Sequence, residues 1–348
     1  MLDFLWKLVS LDLGIDLGTA NTLVFVKEKG IAIREPSIVA RQKKSGKILA
    51  IGSEAKKMVG KNPESIEVIR PLKDGVIADF DACEAMIQYY IKQLHQSPGI
   101  IPKIPKPKVI IGIPSGVTEV ERRAVQDAAL SAGARKAYLI EEPMAAAIGA
   151  DLPVESSEGQ LIIDIGGGTT EIAVISLGGI VIERSLRIAG DEMDEALISM
   201  ARLRHSLVLG LATAEQVKIA IGSAMPFLKE KHFVVRGRDI GKGLPRSLKI
   251  SSMEVREALG PVLQQIISGV TDTIEETPPE LLSDILEHGI VLAGGCSQLH
   301  GIDKVIAEAT KMPVWIVDDP MTAVVKGCGK LLDNQNLLDK VKVVGGVR

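Results

Sequence analysis

Residues 161–175 constrain the fold of this chain more than any other stretch. An apolar, β-branched run leads into Asp164, three glycines and two threonines, and a second run of the same kind follows. β-Branched residues favour strands, and consecutive glycines permit a tight reversal that a ligand can approach closely. The stretch therefore predicts a β-hairpin whose turn suits phosphate groups, with an Asp164 carboxylate suited to hydrated Mg²⁺. Taken alone, a glycine-rich hairpin without any ligand explains it equally well.

The same pattern occurs near the N-terminus, in residues 13–26. An apolar run leads into Asp16, Gly18 and Thr19, and a second apolar run follows. This repetition favours a duplicated half-domain in which two hairpins face each other and hold one polyphosphate between them. In Walker A loops and Rossmann fingerprints the glycines lead from a strand into a helix, and a Walker A loop also contains a lysine. Here the glycines lead back into a strand and no lysine is present, which excludes both motifs.

Composition limits the class of protein. A chain of 348 residues fits two domains. A net charge of −3 gives no electrostatic basis for binding nucleic acid, so no nucleic-acid partner is expected. Cys83, Cys296 and Cys328 are scattered and form neither a disulfide framework nor a metal motif, which indicates a reducing cytoplasm. The five histidines show no zinc spacing.

Further candidate residues stand at the ends of predicted strands. Glu142 follows such a strand and precedes a proline, where it either caps a helix or polarises a water toward a phosphate. The alanines after it would let another helix pass close by. Gly294 and Gly295 end a late strand, where backbone can approach a ribose or base. Thr213 is the expected N-cap of a helix.

The first ten residues predict a short amphipathic helix. Asp3, Lys7 and Ser10 fall on one face at helical spacing, and the rest of the wheel is apolar. The segment is too short to span a bilayer and lacks the features of a signal peptide. We favour an interfacial helix lying in a membrane surface over a terminal helix docked on the protein's own core. The residues expected to contact the membrane are Met1, Leu2, Phe4, Leu5, Trp6, Leu8 and Val9.

A second membrane contact is predicted in the proline-rich loop of residues 96–108. Ile100 and Ile101 stand at its tip, and lysines that anionic lipid would attract follow them. An equally acceptable interpretation is that the two isoleucines pack beneath the loop. One short helix anchors weakly, so stable attachment would need this second contact or many copies in an assembly.

Taken in order, these motifs resemble the ATPase superfamily of actin, the heat-shock chaperone ATPases and the sugar kinases. Within it the chain resembles the MreB family of bacterial actins, which direct rod shape. The resemblance covers almost the whole chain. Its most specific segments are residues 15–22, 71–80, 142–149, 164–171, 190–196 and 278–281.

The resemblance implies an α/β protein with the actin-like ATPase fold. Two related α/β domains, each with a smaller subdomain, would hold the nucleotide in the cleft between them. Domain I would comprise residues 1–145 and 320–348, with subdomain IB at about 33–78. Domain II would comprise residues 146–319, with subdomain IIB at about 182–246.

The resemblance also assigns expected roles around ATP or ADP and Mg²⁺. Asp16 and Asp164 would hold Mg²⁺ through water, and Glu142 with Thr169 would position the attacking water. The nucleoside would lie between Glu215 and Lys218 on one side and Gly294 and Gly295 on the other. The remaining nucleotide contacts would come from Gly18, Thr19, Ala20, Asn21, Gly166, Gly167, Gly168, Thr169 and Gly190.

The function implied is an ATP-dependent filament on the inner face of the cytoplasmic membrane, which directs cell-wall elongation and hydrolyses ATP slowly. Protofilaments would be head-to-tail and pair antiparallel, with RodZ and MreC as partners. The alternatives are a chaperone-type ATPase and a small-molecule kinase. The first would need a further domain, which we do not expect because the chain ends at Arg348. The second would need a carboxylate facing an acceptor pocket, and the sequence offers no clear candidate.

The chain departs from the family pattern in two places. Residues 199–211 read SMARLRHSLVLGL, where the family usually has a basic stretch containing aromatic residues. Cys296 follows Ala293, Gly294 and Gly295, where the family usually has Thr-Gly-Gly-Gly. The first departure changes a surface, and the second adds bulk to the nucleoside loop. Neither lies in the two hairpins.

Overall fold

The computed structural model describes residues 10–96 and 104–343. The predicted membrane segments, Met1 to Val9 and the Ile100–Ile101 tip, lie outside the described residues. Among the helices that are described, none combines the length and apolar character needed to cross a bilayer.

Strands and helices alternate along the described chain. The strands are β1 (Leu13–Leu17), β2 (Asn21–Val26), β3 (Gly30–Pro36), β4 (Val39–Gln42), β5 (Ile48–Ile51), β6 (Ile66–Ile69), β7 (Leu72–Lys73), β8 (Val76–Ile77), β9 (Lys108–Ile113), β10 (Lys136–Glu141), β11 (Gln160–Ile165), β12 (Thr170–Ser176), β13 (Gly179–Leu186), β14 (Leu207–Val208), β15 (His232–Asp239), β16 (Pro245–Ser251), β17 (Ile290–Ala293) and β18 (Val314–Ile316). The α-helices are α1 (Ser53–Lys56), α2 (Phe80–His95), α3 (Glu119–Ser131), α4 (Glu142–Gly149), α5 (Gly190–His205), α6 (Leu211–Ile221), α7 (Ser252–Glu276), α8 (Pro279–His288), α9 (Ile302–Thr310), α10 (Ala323–Asp333) and α11 (Gln335–Val341). Two short 3₁₀ helices span Gly295–Gln298 and Pro320–Thr322.

Two five-stranded sheets share one topology. Their strand orders are β10-β9-β1-β2-β3 and β18-β17-β11-β12-β13. In each, two parallel pairs continue into two antiparallel pairs. Each also has one register shift at the equivalent place, between Val24 and Phe25 and between Val174 and Ile175. This identity of order, direction and irregularity agrees with the duplicated half-domain that the two hairpin sequences indicate.

Three apolar cores make the two sheets the centre of a layered structure. One core packs α2 and α3 against one face of the first sheet. A second lies between the two sheets and contains α4 and α10. The third packs α5, α6, α7 and α9 against the outer face of the second sheet. All residues of β11 and β12 are buried, as continuous apolar strands covered on both faces require.

The remaining strands form three smaller sheets. β4, β5 and β6 make a three-stranded antiparallel sheet, and β14, β15 and β16 make another. β7 and β8 form a two-stranded hairpin. This hairpin lies beside the predicted ligand site, because the Gly75 amide in its turn donates to Thr19 Oγ1 at 3.0 Å.

Helices α4 and α10 cross so closely that their backbones touch. A Cβ atom added at Gly149 would overlap the Ala323 carbonyl, and one added at Gly327 would overlap the Ala145 carbonyl. Small residues on both helices permit this approach, as the alanine run after Glu142 predicts. The crossing holds the two sheets together at the middle of the molecule.

Gly327→Ala is expected to lower the free energy of unfolding by about 2–3 kcal/mol, because the added methyl group has to push the two helices apart. Urea denaturation followed by circular dichroism measures the change. Gly260→Ala is the matched control, since Gly260 lies exposed within α7 with open space around it. That control is expected to change the free energy of unfolding by less than about 1 kcal/mol, because Pro261 restricts the residue before it and offsets the helix propensity of alanine. Equal effects of the two substitutions would contradict the tight crossing.

One local prediction is wrong. Thr213 does not cap its helix, because α6 begins two residues earlier at Leu211 with Gly210 as N-cap. The amides of Thr213 and Ala214 both donate to the Gly210 carbonyl, at 3.0 and 3.1 Å, so the first turn is already formed where Thr213 stands. A cap at Thr213 would have served the amides of Glu215 and Gln216, which already lie inside the helix.

Candidate functional site

The turns of the two hairpins meet face to face. A Cβ atom added at Gly167 would lie 2.6 Å from Ala20 Cβ, and one added at Gly168 would lie 2.7 Å from Thr19 Oγ1. These glycines are therefore required where one hairpin packs against the other. The sequence suggested a different reason for them, namely close approach of a ligand.

A cleft of about 450 Å³ opens beside the two turns. It is lined by every residue that was predicted to contact the nucleotide, the metal or the attacking water: Asp16, Gly18, Thr19, Ala20, Asn21, Glu142, Asp164, Gly166, Gly167, Gly168, Thr169, Gly190, Glu215, Lys218, Gly294 and Gly295. Its volume suits a ligand of nucleotide size. These residues come from distant parts of the chain, and the structure brings them to one place.

Four carboxyl groups surround the hairpin turns. Burial, together with the smaller effect of the neighbouring Asp16, raises the pKa of Asp164 to about 7. Burial likewise raises the pKa values of Asp16 and Glu171. The pKa of Glu142 lies well above its usual range because it is buried and faces the other three carboxyls. Burial and mutual repulsion disfavour the ionised form of these carboxyls, and a cation bound among them would favour it.

Glu142 reaches this cluster from the edge strand β10, at the same carboxyl end of the parallel strands as Asp16. β10 ends at Glu141, and Glu142 is the first residue of α4, where the positive end of the helix dipole favours a carboxylate. Its predicted companion Thr169 is buried in the second hairpin. The cleft thus presents a carboxyl and a hydroxyl beside the two hairpin turns.

The opposite end of the cleft contains an internal network around Lys218. Its ammonium donates to the Gly190 carbonyl at 2.6 Å and pairs with Asp194 at 3.0 Å. Burial raises the pKa of Asp194 to about 6, and Lys218 opposes this rise. Glu215 pairs with Lys56 at 2.8 Å. Both residues predicted to flank the nucleoside are therefore oriented by protein partners.

Gly294 and Gly295 occupy different surroundings within the same wall. Gly294 has a φ of +83°, and a side chain there would collide with Asp164 and Ile165. Gly295 begins the 3₁₀ turn that contains Cys296. Cys296 lines the cleft, and burial raises its thiol pKa to about 11, so the thiol is neutral at physiological pH.

Sequence reasoning missed several residues at the site. Arg70 and Asp191 line the cleft and pair with each other. Glu171 accepts hydrogen bonds from the Ser115 amide at 3.0 Å and the Ser185 hydroxyl at 2.7 Å. Glu171 follows the two threonines after the glycines in sequence and could have been noticed. Nothing in the sequence indicates the pairing of Arg70 with Asp191, since 121 positions separate them.

Comparison with known proteins identifies the family. The family model for MreB/Mbl protein matches residues 10–340. The chain belongs to the MreB/Mbl family. It is 49% identical over 326 residues to the cell shape-determining protein MreB of Escherichia coli strain K12, covering 92% of this chain and 93% of that protein. It is 44% identical over 332 residues to the cell shape-determining protein Mbl of Bacillus subtilis strain 168, covering 95% and 98%.

A solved MreB structure has the same fold. MreB5 of Spiroplasma citri bound to ADP superimposes with a TM-score of 0.88 at 37% identity, covering 94% of this chain and 97% of that one. The predicted actin-like ATPase fold is thus confirmed for this MreB/Mbl protein. Its relatives are named for determining cell shape, which agrees with the function that the sequence indicated.

Proposed function

We propose that this MreB/Mbl protein binds ATP, polymerises into membrane-associated filaments and directs rod shape and cell-wall elongation, with slow ATP hydrolysis timing assembly. The observation that supports this best is the cleft between two matched hairpins, which collects all the predicted nucleotide contacts. MreB5 has been solved with ADP and with AMPPNP, which supports nucleotide as the ligand of the same fold.

In this proposal the two hairpin turns, with Gly190, hold the phosphates through backbone amides and through the hydroxyl and amide groups of Thr19, Asn21 and Thr169. The nucleoside lies between Glu215 and Lys218 on one wall and Gly294 and Gly295 on the other. Two glycine turns meeting at one point provide closely spaced N–H donors, as phosphate oxygens require. The Lys218 network gives the wall a fixed shape.

The site fits Mg²⁺ held through water. Asp16 and Asp164 are hard oxygen donors, and burial raises the pKa of both, so a cation would favour their ionised form. The described residues contain no group of three or more His, Cys, Asp or Glu side chains arranged to ligate a metal. Two carboxylates with waters and phosphate oxygens therefore suit the ion better than a cage of protein ligands. When bound, Mg²⁺ would neutralise charge on the phosphates.

Glu142 and Thr169 are the proposed catalytic pair. The Glu142 carboxylate accepts a proton from the attacking water, and the Thr169 hydroxyl fixes the position of that water. The pKa of Glu142, raised by burial and by the neighbouring carboxyls, makes it a stronger base than an exposed glutamate, which supports its role as a proton acceptor. Slow turnover agrees with a site in which the protein supplies few cationic groups.

The proposed domain division places the cleft between residues 1–145 with 320–348 and residues 146–319. Each part contains one of the two five-stranded sheets. α10 belongs to the first part, since Gly14 of β1 packs directly against Cys328 of α10. Within this division, β4 to β8 belong to subdomain IB and β14 to β15 to subdomain IIB.

We propose that the N-terminal helix and the Ile100–Ile101 loop contact the inner face of the cytoplasmic membrane together. The described residues that flank them support this, because they are hydrogen-bonded to each other. The Leu11 amide donates to His95 Nε2 at 3.1 Å, and Ser10 Oγ lies 3.3 Å from the same atom. Both segments therefore leave the fold from one corner, so that one membrane surface can receive both.

Self-assembly into head-to-tail protofilaments that pair antiparallel is part of this proposal, as are RodZ and MreC as partners in wall elongation. These rest on family membership. A chaperone-type or small-molecule-kinase ATPase of the same superfamily is the alternative function.

Sedimentation with ATP tests the function. The full chain is expected to pellet with ATP, to pellet more strongly with vesicles containing anionic lipid, and to stay in the supernatant without nucleotide. A variant lacking residues 1–10 is expected to polymerise but to lose most of its vesicle binding. No polymer in any condition would reject the filament function. Polymer that ignores lipid in both chains would reject only the membrane anchor.

A further inference from the structure

Two ion pairs connect the opposite walls of the cleft at its mouth. Arg70 Nη1 donates to both carboxylate oxygens of Asp191 at 2.8 Å. Lys56 Nζ lies 2.8 Å from a carboxylate oxygen of Glu215. Lys56 and Arg70 belong to the segment of the smaller β4–β6 sheet, whereas their partners belong to α5 and α6. We propose that these two pairs, here named the clasp, hold the cleft closed and set how long a nucleotide stays bound.

The Arg70–Asp191 pair is stronger than a typical surface ion pair. Its side chains are 31% and 22% exposed, so solvent screens the charges only in part. One guanidinium nitrogen contacts both oxygens of the carboxylate at 2.8 Å, in charge-assisted hydrogen bonds. The two residues join parts of the chain that otherwise face each other across the cleft. Opening the cleft therefore requires the pair to break.

The clasp is tied directly to the hairpin turns. The Asp191 amide donates to the Gly167 carbonyl at 2.7 Å, so its backbone is fixed to the second hairpin. On the other side, the chain from Arg70 runs through β7 to Gly75, whose amide donates to Thr19 of the first hairpin. A ligand that holds the two hairpin turns together thus also holds Arg70 next to Asp191. By reciprocity, the pair favours the closed arrangement in which the ligand is retained.

Charge supports the same conclusion. Arg70 and Lys218 are the cationic side chains among the residues that line the described cleft. Lys218 is engaged with Asp194 and the Gly190 carbonyl, deeper in the wall. Arg70 lies at the mouth, where its positive charge also opposes departure of a polyphosphate. Arg70 and Asp191 are accordingly positioning residues that act on binding, and the chemistry stays with Glu142 and Thr169.

This inference rests on the proposed nucleotide binding, and a charge-reversal cycle tests it. The full chain is loaded with Mg²⁺ and a fluorescent ADP analogue, and release is timed after a chase with excess unlabelled ADP. Arg70→Asp and Asp191→Arg place like charges together, and both are expected to speed release. Arg70→Asp is expected to do so about tenfold or more, which corresponds to about 1.4 kcal/mol, and Asp191→Arg by less, because its added positive charge attracts the polyphosphate. The double variant restores an opposite pair and is expected to release within about threefold of the unchanged chain.

The matched control is the exposed Arg204–Glu257 pair, whose charges lie 2.6 Å apart on α5 and α7, away from the cleft. Arg204→Glu and Glu257→Arg are expected to leave release unchanged. Circular dichroism melting identifies any variant that fails to fold, and Arg70→Gln and Asp191→Asn then replace the reversals, with a smaller acceleration of about threefold expected for each.

Three results would overturn the clasp. One is release by the single variants at the rate of the unchanged chain, and another is a double variant whose acceleration equals the product of the two single effects. The third is an equal acceleration of nucleotide release by the Arg204→Glu and Glu257→Arg variants, which would mean that the effect comes from surface charge in general. If the unchanged chain does not bind the fluorescent ADP at all, the proposed nucleotide function is rejected, and the clasp with it.

Discussion

Glu142→Gln is expected to slow ATP hydrolysis at saturating ATP by about 100-fold or more, with nucleotide affinity changed by less than about threefold. The substitution keeps the size of the side chain and removes the carboxylate that accepts the proton of the attacking water. Losses of this size are typical when a positioned acid–base group is removed. Phosphate release under single-turnover conditions measures the rate, and the fluorescent ADP analogue measures binding.

Glu141→Gln is the matched control for this prediction. Glu141 is the preceding residue and also has a pKa raised mainly by burial, but its carboxyl faces Glu183 and Arg122 and does not line the cleft. It is expected to hydrolyse ATP within about twofold of the unchanged chain. Equal rates for the two glutamine variants would show that Glu142 is not the proton acceptor.

Thr169→Ala separates positioning from proton transfer. Loss of the hydroxyl is expected to slow hydrolysis strongly while Glu142 remains in place. A normal rate for Thr169→Ala would remove Thr169 from the proposed catalytic pair.

Asp164→Asn is expected to stabilise the nucleotide-free protein at pH 8, although it removes a predicted Mg²⁺ ligand. The folded-state pKa of Asp164, about 7, lies above its ordinary value of 3.8. A raised carboxyl pKa means that its contribution to stability is present below the unfolded pKa and is lost as pH rises through the folded pKa. Ionised Asp164 therefore destabilises the empty protein above pH 7, by up to about 4 kcal/mol at 1.36 kcal/mol per pH unit.

Urea denaturation in EDTA at pH 5 and pH 8 measures this effect. Between the two pH values, the stability of the unchanged chain is expected to fall relative to that of Asp164→Asn by about 2 kcal/mol or more. Adding Mg²⁺ with ADP at pH 8 is expected to stabilise the unchanged chain more than the variant, since the ion compensates the buried charge. A variant that is less stable than the unchanged chain at both pH values would contradict the prediction.

Asp239→Asn is the control of opposite sign. The Asp239 side chain is 15% exposed, and its hydrogen bond from Arg246 lowers its pKa, so ionisation of Asp239 favours the folded state. Neutralising it is expected to destabilise slightly at pH 8. If Asp164→Asn stabilises the protein at pH 8 and Asp239→Asn destabilises it, then Asp164 destabilises the empty protein because it is buried without a cation. Its negative charge alone would not explain the difference.

Much of the fold could be predicted from the sequence because the strongest signals are local. β-Branched runs on both sides of Asp16 and Asp164 specify strands, and the glycines between them specify the reversals that the structure shows. The alanines after Glu142 likewise indicated close helix packing, which the crossing of α4 and α10 confirms. Thr213 shows the limit, because the helix boundary depended on which backbone donors were already satisfied.

The residues that line the cleft could also largely be predicted, because only a few residue types can bind phosphate groups or a metal ion. The surroundings of each residue were not predictable. Lys218 and Glu215 turned out to have protein partners, Asp194 and Lys56, that no local pattern indicates. Side-chain partners depend on sheet register and on helix packing between residues that are far apart in the chain. Local sequence patterns do not predict either of these.

By itself the sequence determined that two similar hairpins carry aspartate, glycine and threonine at their turns, because strand propensity and glycine conformation act over a few residues. Only the tertiary structure decided that the two turns pack against each other through Gly167 and Gly168, and that Arg70 meets Asp191 across the cleft. The physical reason is that these contacts join residues far apart in the chain. Their geometry depends on how both sheets pack around α4 and α10.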